Sequence, residues 1–327
     1  MFFFQGMQEV DQRVFLQCRS GPALSEGGRL RVAASSLLNT SGRVSQRQRS
    51  WRPFLNHFGR VLIFLVSLAP FWSQAAEMKD PQAVALINHV FVSTEDAVRS
   101  VRAMGLELKS KGDHRALFPL IYALTIESAE KKLADHEFRN PRWTTTLIIN
   151  YANLYRRTIL QELSGHRAAT PKAWQFEFNF AAPMPDATGV TASQSLAWSP
   201  DFDAVYGINV HIARDLIEAL FITPTDFSDE NVHQDYLLIT AALANVMPQI
   251  WSLFSSFSDV HYSLSNISQA VMMNWIGELR IQAWSRASQA SHSSIEQKRS
   301  LLNQVDTEVA FRSRVYGTML PLMPIFN

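Results

Sequence analysis

The chain has 327 residues, a formal net charge of +1 and a single cysteine, Cys18, which leaves residues 76–327 without disulfides, thiolate metal sites or a cysteine nucleophile. The near-neutral charge hides an asymmetry: residues 1–75 hold nine arginines and three acidic residues, whereas the rest holds 21 basic and 26 acidic ones. An acidic main body with no basic cluster excludes nucleic acid as a partner.

Residues 1–43 are rich in Arg, Ser and Gly, without lasting periodicity, and read as a non-structural extension. One reading of this extension starts translation at Val44. Residues 44–75 have the layout of a secretory signal peptide. Arg47, Arg49, Arg52 and Arg60 form a basic stretch, Val61 to Trp72 an apolar one, and Ser73 to Ala75 offer small residues for cleavage. The apolar run is shorter than the ~20 residues of a bilayer-spanning helix. The expectation is therefore a periplasmic or secreted protein with no stable membrane span after signal cleavage.

From residue 81 onward apolar residues recur at helical spacing. Residues 81–109 read as two helices, divided where Ser93 precedes Asp96 by three in a capping-box pattern. Lys111 to Asp113 is a turn. A long helix is predicted from His114 to His136, with a kink at Pro119, and another from Trp143 to Leu163. Residues 178–200 are loop-like, with three prolines and a glycine, and are long enough to act as a lid or binding loop. Trp174 to Phe180 alternates and is the one candidate strand. Helices are predicted again over 203–221, 233–257, 264–290 and 293–313. Residues 76–327 thus read as a single all-α domain of seven to nine helices.

Buried polar groups cost free energy unless paired, so polar residues inside apolar helices are the functional candidates. His211 and Asp215, spaced i, i+4, share a helix face with Asn209 nearby. They fit two readings: ligands for a divalent metal, or a buried pair in which the carboxylate fixes the imidazole tautomer. Asp235 lies in a first helical turn, where the helix dipole alone accounts for an acid. Arg280, set among Trp275, Ile276, Leu279, Ile281 and Trp284, reads as an ion-pair partner reaching out from the core edge. Asp113, Arg115 and Thr125 form a third polar set. The chain has no HExxH, GxSxG, P-loop or GxGxxG motif; Glu230 and His233 make one ExxH spacing, where a di-iron bundle needs two.

The stretch GINVHIARDL resembles the G-x-N-A-H-I-N-x-D-L signature of an uncharacterised bacterial family, a domain of unknown function. Gly207, Ile208, Asn209, His211, Ile212, Asp215 and Leu216 match, while Val210 and Ala213 depart. Similarity extends through Asp113, Arg115, Phe118, Tyr122 and Thr125, the segment around Tyr151, Trp174 with Phe178, Asp235, and Arg280 with Ala283 and Trp284. Thr240 stands where the family has Asn. The resemblance implies that these polar positions form one shared site around His211, Asp215, Asp235 and Arg280. One reading of that site is a metal-assisted hydrolase. In it His211, Asp215 and Asp235 are metal ligands or acid–base groups and Arg280 anchors an anionic group. The other is a non-enzymatic envelope protein binding an apolar small molecule or lipid, and a third, less favoured, is haem binding through His211.

Overall fold

A computed structural model describes residues 80–181, 200–257 and 266–319, apart from the side chains of 201, 266–269, 271 and 316–319. The extension, the signal segment and most of the 178–200 loop lie outside the described residues. The fold is all-α, as the periodicity predicts, with eleven α-helices and no strand among the described residues. In chain order these are α1 (Pro81–Ile87), α2 (Thr94–Ser110), α3 (Leu117–Ala134), α4 (Pro141–Leu163) and α5 (Lys172–Ala181). A rod follows, in which α6 (Pro200–Val210) and α7 (Leu216–Ile222) are joined by one π-helical turn, His211–Asp215. Then come α8 (Glu230–Asn245), α9 (Met247–Ser255), α10 (Asn266–Gln289) and α11 (Ile295–Met319). No single described helix is long and apolar enough to cross a membrane.

Side-chain caps set the helix starts. Ser93 accepts from the Asp96 amide at 3.1 Å, as its spacing predicts, and Asn140 accepts from the Trp143 amide at 3.2 Å. Pro141 sits at the first position of α4, where a missing N–H costs no intrahelical bond. At the end of α2, Gly112 takes φ +69°, and the amides of Gly112 and Asp113 close back onto Lys109 and Leu108.

Three local expectations are corrected. Trp174–Phe180 is helical, because Trp174 and Phe178, four apart, bury the same face of α5 while Phe176 packs on Tyr206. Pro119 does not kink a helix; the segment from His114 begins as a 3-10 turn, and Pro119 falls in the first turn of α3. The helix expected over 233–257 is two, α8 and α9, meeting at Val246 ahead of Pro248 with a 42° bend.

Helix α3 is the hub. It is apolar around most of its circumference and packs against α2, α6, α8 and α9. Helix α4 lies against α1, α2, α7 and α8, and also touches the π turn, which in turn packs on α10 and α11. Gly207 makes the α3–α6 approach feasible, since a Cβ there would stand 2.8 Å from Phe118 Cγ. Gly207→Ala is expected to lower stability by about 1–2 kcal/mol, overpacking outweighing the gain in helix propensity. Urea unfolding of the two proteins measures this directly.

Candidate functional site

The π turn holds the centre of the site. Its wider turn is closed by the bond from the Leu216 amide to the His211 carbonyl, and single π turns inside α-helices recur at functional sites. Within it, His211 Nδ1 and Asp215 Oδ2 lie 3.2 Å apart. Asp215 is fully buried and has two further partners: Trp174 Nε1 donates to Oδ2 at 2.8 Å and Arg214 Nη1 to Oδ1 at 2.5 Å. Burial alone would push the Asp215 carboxyl up, but the Arg214 guanidinium and the imidazole outweigh it and hold the carboxyl below its ordinary value. An ionised carboxylate only accepts, so His211 carries its hydrogen on Nδ1 and turns a bare Nε2 outward. Burial, reinforced by Arg280, lowers the imidazole pKa below 6.5 against the pull of Asp215. The pair is therefore a neutral imidazole donating to a carboxylate.

Aromatic rings fix the imidazole plane. Tyr151 stacks on it at 3.7 Å and 8°, while Tyr122 and Phe118 meet it edge-on at 4.5 and 5.4 Å. Trp174 and Tyr155 close the cage further out. His211 Nε2 has no hydrogen-bond partner among the described residues.

A cavity of about 70 Å³ opens beside the imidazole. Its walls are mostly apolar, from Ile121, Ile126, Ile148, Ile208, Ile239 and Leu243, and its polar lining is Tyr122, Thr125, Tyr151, His211, Thr240 and Arg280. The hydroxyls of Tyr122 and Tyr151 and Nε of Arg280 are buried without a hydrogen-bond partner among the described residues. Burial pushes both phenols well above their ordinary range, so they stand as neutral donors. Arg280 does not form the ion pair expected of it. It is 5% exposed, its Nη2 donates to the Tyr236 carbonyl at 2.9 Å, and the Tyr236 hydroxyl donates to the Arg280 carbonyl at 2.6 Å. Its guanidinium lies over the Tyr236 ring at 4.4 Å, and no carboxylate among the described residues pairs with it.

Asp235 is not brought to this site. Its two oxygens accept the backbone amides of Arg139 and Asn140 at 2.8 and 2.6 Å, pinning the start of α4. Tyr151, the residue stacked on His211, lies 11 positions further along α4 than Asn140, roughly 16 Å of helix. No group of three or more His, Cys, Asp or Glu among the described residues is arranged to hold a metal ion. The ligand set His211, Asp215 and Asp235 is thus not assembled, while His211, Asp215 and Arg280 are brought together.

The third polar set divides. Thr125 lines the cavity, with its hydroxyl donating to the Ile121 carbonyl. Arg115 turns the other way, binds Asp113 through Nε and Nη2, and lies 3.7 Å from Glu162. Glu177, also fully buried, is pushed well above its ordinary 4.5 by burial and by the charges of Asp203 and Glu162.

A family model described as "Family of unknown function (DUF5995)" matches residues 94–319. The chain belongs to this family. No curated protein and no solved structure matches it. The DUF5995 match spans every helix that contributes to the cavity and the dyad.

Sequence reasoning missed Tyr122, Tyr151, Trp174 and Arg214 as site residues of this DUF5995 member. Tyr122 and Thr125 at i, i+3 in the otherwise apolar first half of α3 were the readable signal; Arg214 gave none, since its partner is its chain neighbour. Two tests follow. Asp235→Ala is expected to cost about 2–4 kcal/mol in unfolding experiments through two stranded amides, with no effect on small-molecule binding in the cavity. For Glu177 the folded-state pKa is raised, so its stabilising contribution is complete below about 4.5 and is lost as pH rises through the folded value. Glu177→Gln should therefore be more stable than the native protein near about pH 8, with the difference closing toward acid in urea titrations at several pH values.

Proposed function

We propose that this DUF5995 member binds, outside the cytoplasm, a small molecule with a short apolar body and one acidic group. One observation carries the reading. Four buried polar atoms without a hydrogen-bond partner among the described residues, on Tyr122, Tyr151, His211 and Arg280, belong to residues lining one largely apolar cavity. Buried polar groups are nearly always paired. Three of them are donors, one on a cation that no described carboxylate neutralises and whose complement is an anion, and the fourth, the bare Nε2 of His211, is an acceptor.

The cavity size narrows the ligand. A volume of about 70 Å³ exceeds what one water needs and falls below the ~150 Å³ of an engineered cavity that takes benzene. A short-chain carboxylate suits it, whereas a long lipid tail or a porphyrin exceeds it. The arginine-rich leader and its apolar run support placement in the periplasm or outside the cell.

Calorimetric titration with acetate, propionate and butyrate, each against its primary amide, tests the reading. The acids are expected to bind and the amides to bind more weakly. Arg280→Met should remove the preference for acid, at a cost of about 2–5 kcal/mol for a buried charge pair. Equal affinity for acid and amide in the native protein would overturn the anion site.

A further inference from the structure

We infer that the same cavity hydrolyses small carboxylic esters, with His211 as general base and water as nucleophile; this rests on the anion-binding reading above. The groups facing His211 come from every element around it. Asp215 and Arg214 share its turn, Tyr122 comes from α3, Tyr151 and Tyr155 from α4, Trp174 from α5, and Arg280 lies across the cavity on α10.

Three features of this geometry fit a base better than a simple binding residue. First, the Nδ1 side of the ring is taken by Asp215, which is itself fixed by Trp174 and Arg214, so the Nε2 lone pair points in one direction. A base held by an orienting carboxylate is the arrangement that proton transfer from water requires. Second, Tyr151 stacking at 3.7 Å stops the ring from turning away. Third, Arg280 suits both a tetrahedral oxyanion and the carboxylate that ester cleavage produces. Among the described lining residues no serine or cysteine offers a nucleophile, and the Thr125 hydroxyl is committed to the Ile121 carbonyl.

The step balances without a further reactant. Nε2 of His211 takes a proton from water while the water oxygen bonds to the acyl carbon, and the carbonyl π pair moves onto its oxygen beside Arg280. That pair then re-forms the double bond, the bond to the alcohol oxygen breaks, and the departing oxygen takes the proton from Nε2. Ester and water become alcohol and acid; the acid passes its remaining proton to Nε2 of His211 and from there to solvent, and the carboxylate stays on Arg280 until it leaves. Asp215 acts through His211 and is a positioning residue.

The test uses methyl acetate, methyl propionate and methyl butyrate, with acid release titrated at constant pH and butyrate binding measured by calorimetry on the same proteins. The native protein is expected to show saturable turnover that butyrate inhibits competitively at its calorimetric Kd. His211→Gln should lose turnover by about 10²–10⁴-fold, a far larger factor than its change in butyrate affinity. Asp215→Asn should lower kcat with KM little changed. If His211→Gln does not fold, the native pH profile decides, because kcat must fall toward acid with an apparent pKa below 6.5. A native protein that binds butyrate but leaves the esters at the buffer rate overturns this inference and keeps the binding site, as does unchanged turnover in His211→Gln. A native protein that neither binds butyrate nor cleaves the esters overturns both.

Discussion

One carboxylate organises the centre of this protein. Asp215 has been taken wholly out of water, and the cost is met by three donors arriving from different places in the sequence: Trp174 on α5, and His211 and Arg214 on its own turn. Because the charge is buried, losing any donor leaves it underpaired, a defect worth several kcal/mol. Helix α5, the π turn and the imidazole are therefore interdependent. Arg214 extends the network to Glu218 and to Asp306 on α11, and Asp306 accepts the amides of Lys172 and Ala173 at the start of α5.

The cavity side of the imidazole follows the opposite rule. Both oxygens of Asp215 are met by donors, whereas on the cavity side of the same ring the two phenols, Nε2 of His211 and Nε of Arg280 have no hydrogen-bond partner among the described residues. This contrast across one five-membered ring separates a structural network from a site. The Arg115 cluster, also buried and charged, falls on the structural side, since its guanidinium is bonded to Asp113 through two nitrogens.

Much of this was legible in the sequence. The 3.6-residue spacing of apolar residues gave the all-α class, and caps such as Ser93 and Asn140 stand where the helices begin. The spacing of His211 and Asp215 placed them on one face, and their hydrogen bond follows from it. Other features were hidden for physical reasons. Asp235 carries the same side chain as Asp215, and nothing in its local sequence shows that the amides it meets lie 95 residues away. Arg280 sits among apolar neighbours that suit either an edge ion pair or a buried cation, and only the packing of α8 against α10 decides between them. The alternating residues of α5 suit a strand or a helix until Tyr206 and Asp215 supply the surfaces on which they pack.

The π turn has a mechanical consequence. One additional residue in a helical turn shifts everything downstream by about 100° around the axis. Helices α6 and α7 can thus run as one rod while presenting out-of-phase apolar stripes to different neighbours, α3 and α5 before the turn and α4 and α10 after it. The rod works like a gear set one tooth out of line. Point substitutions along it alter single contacts, but a one-residue deletion within 211–215 would turn all of α7 to a new face and separate the imidazole from its carboxylate in the same step. The turn accordingly tolerates exchange of a single side chain far better than any change in its length.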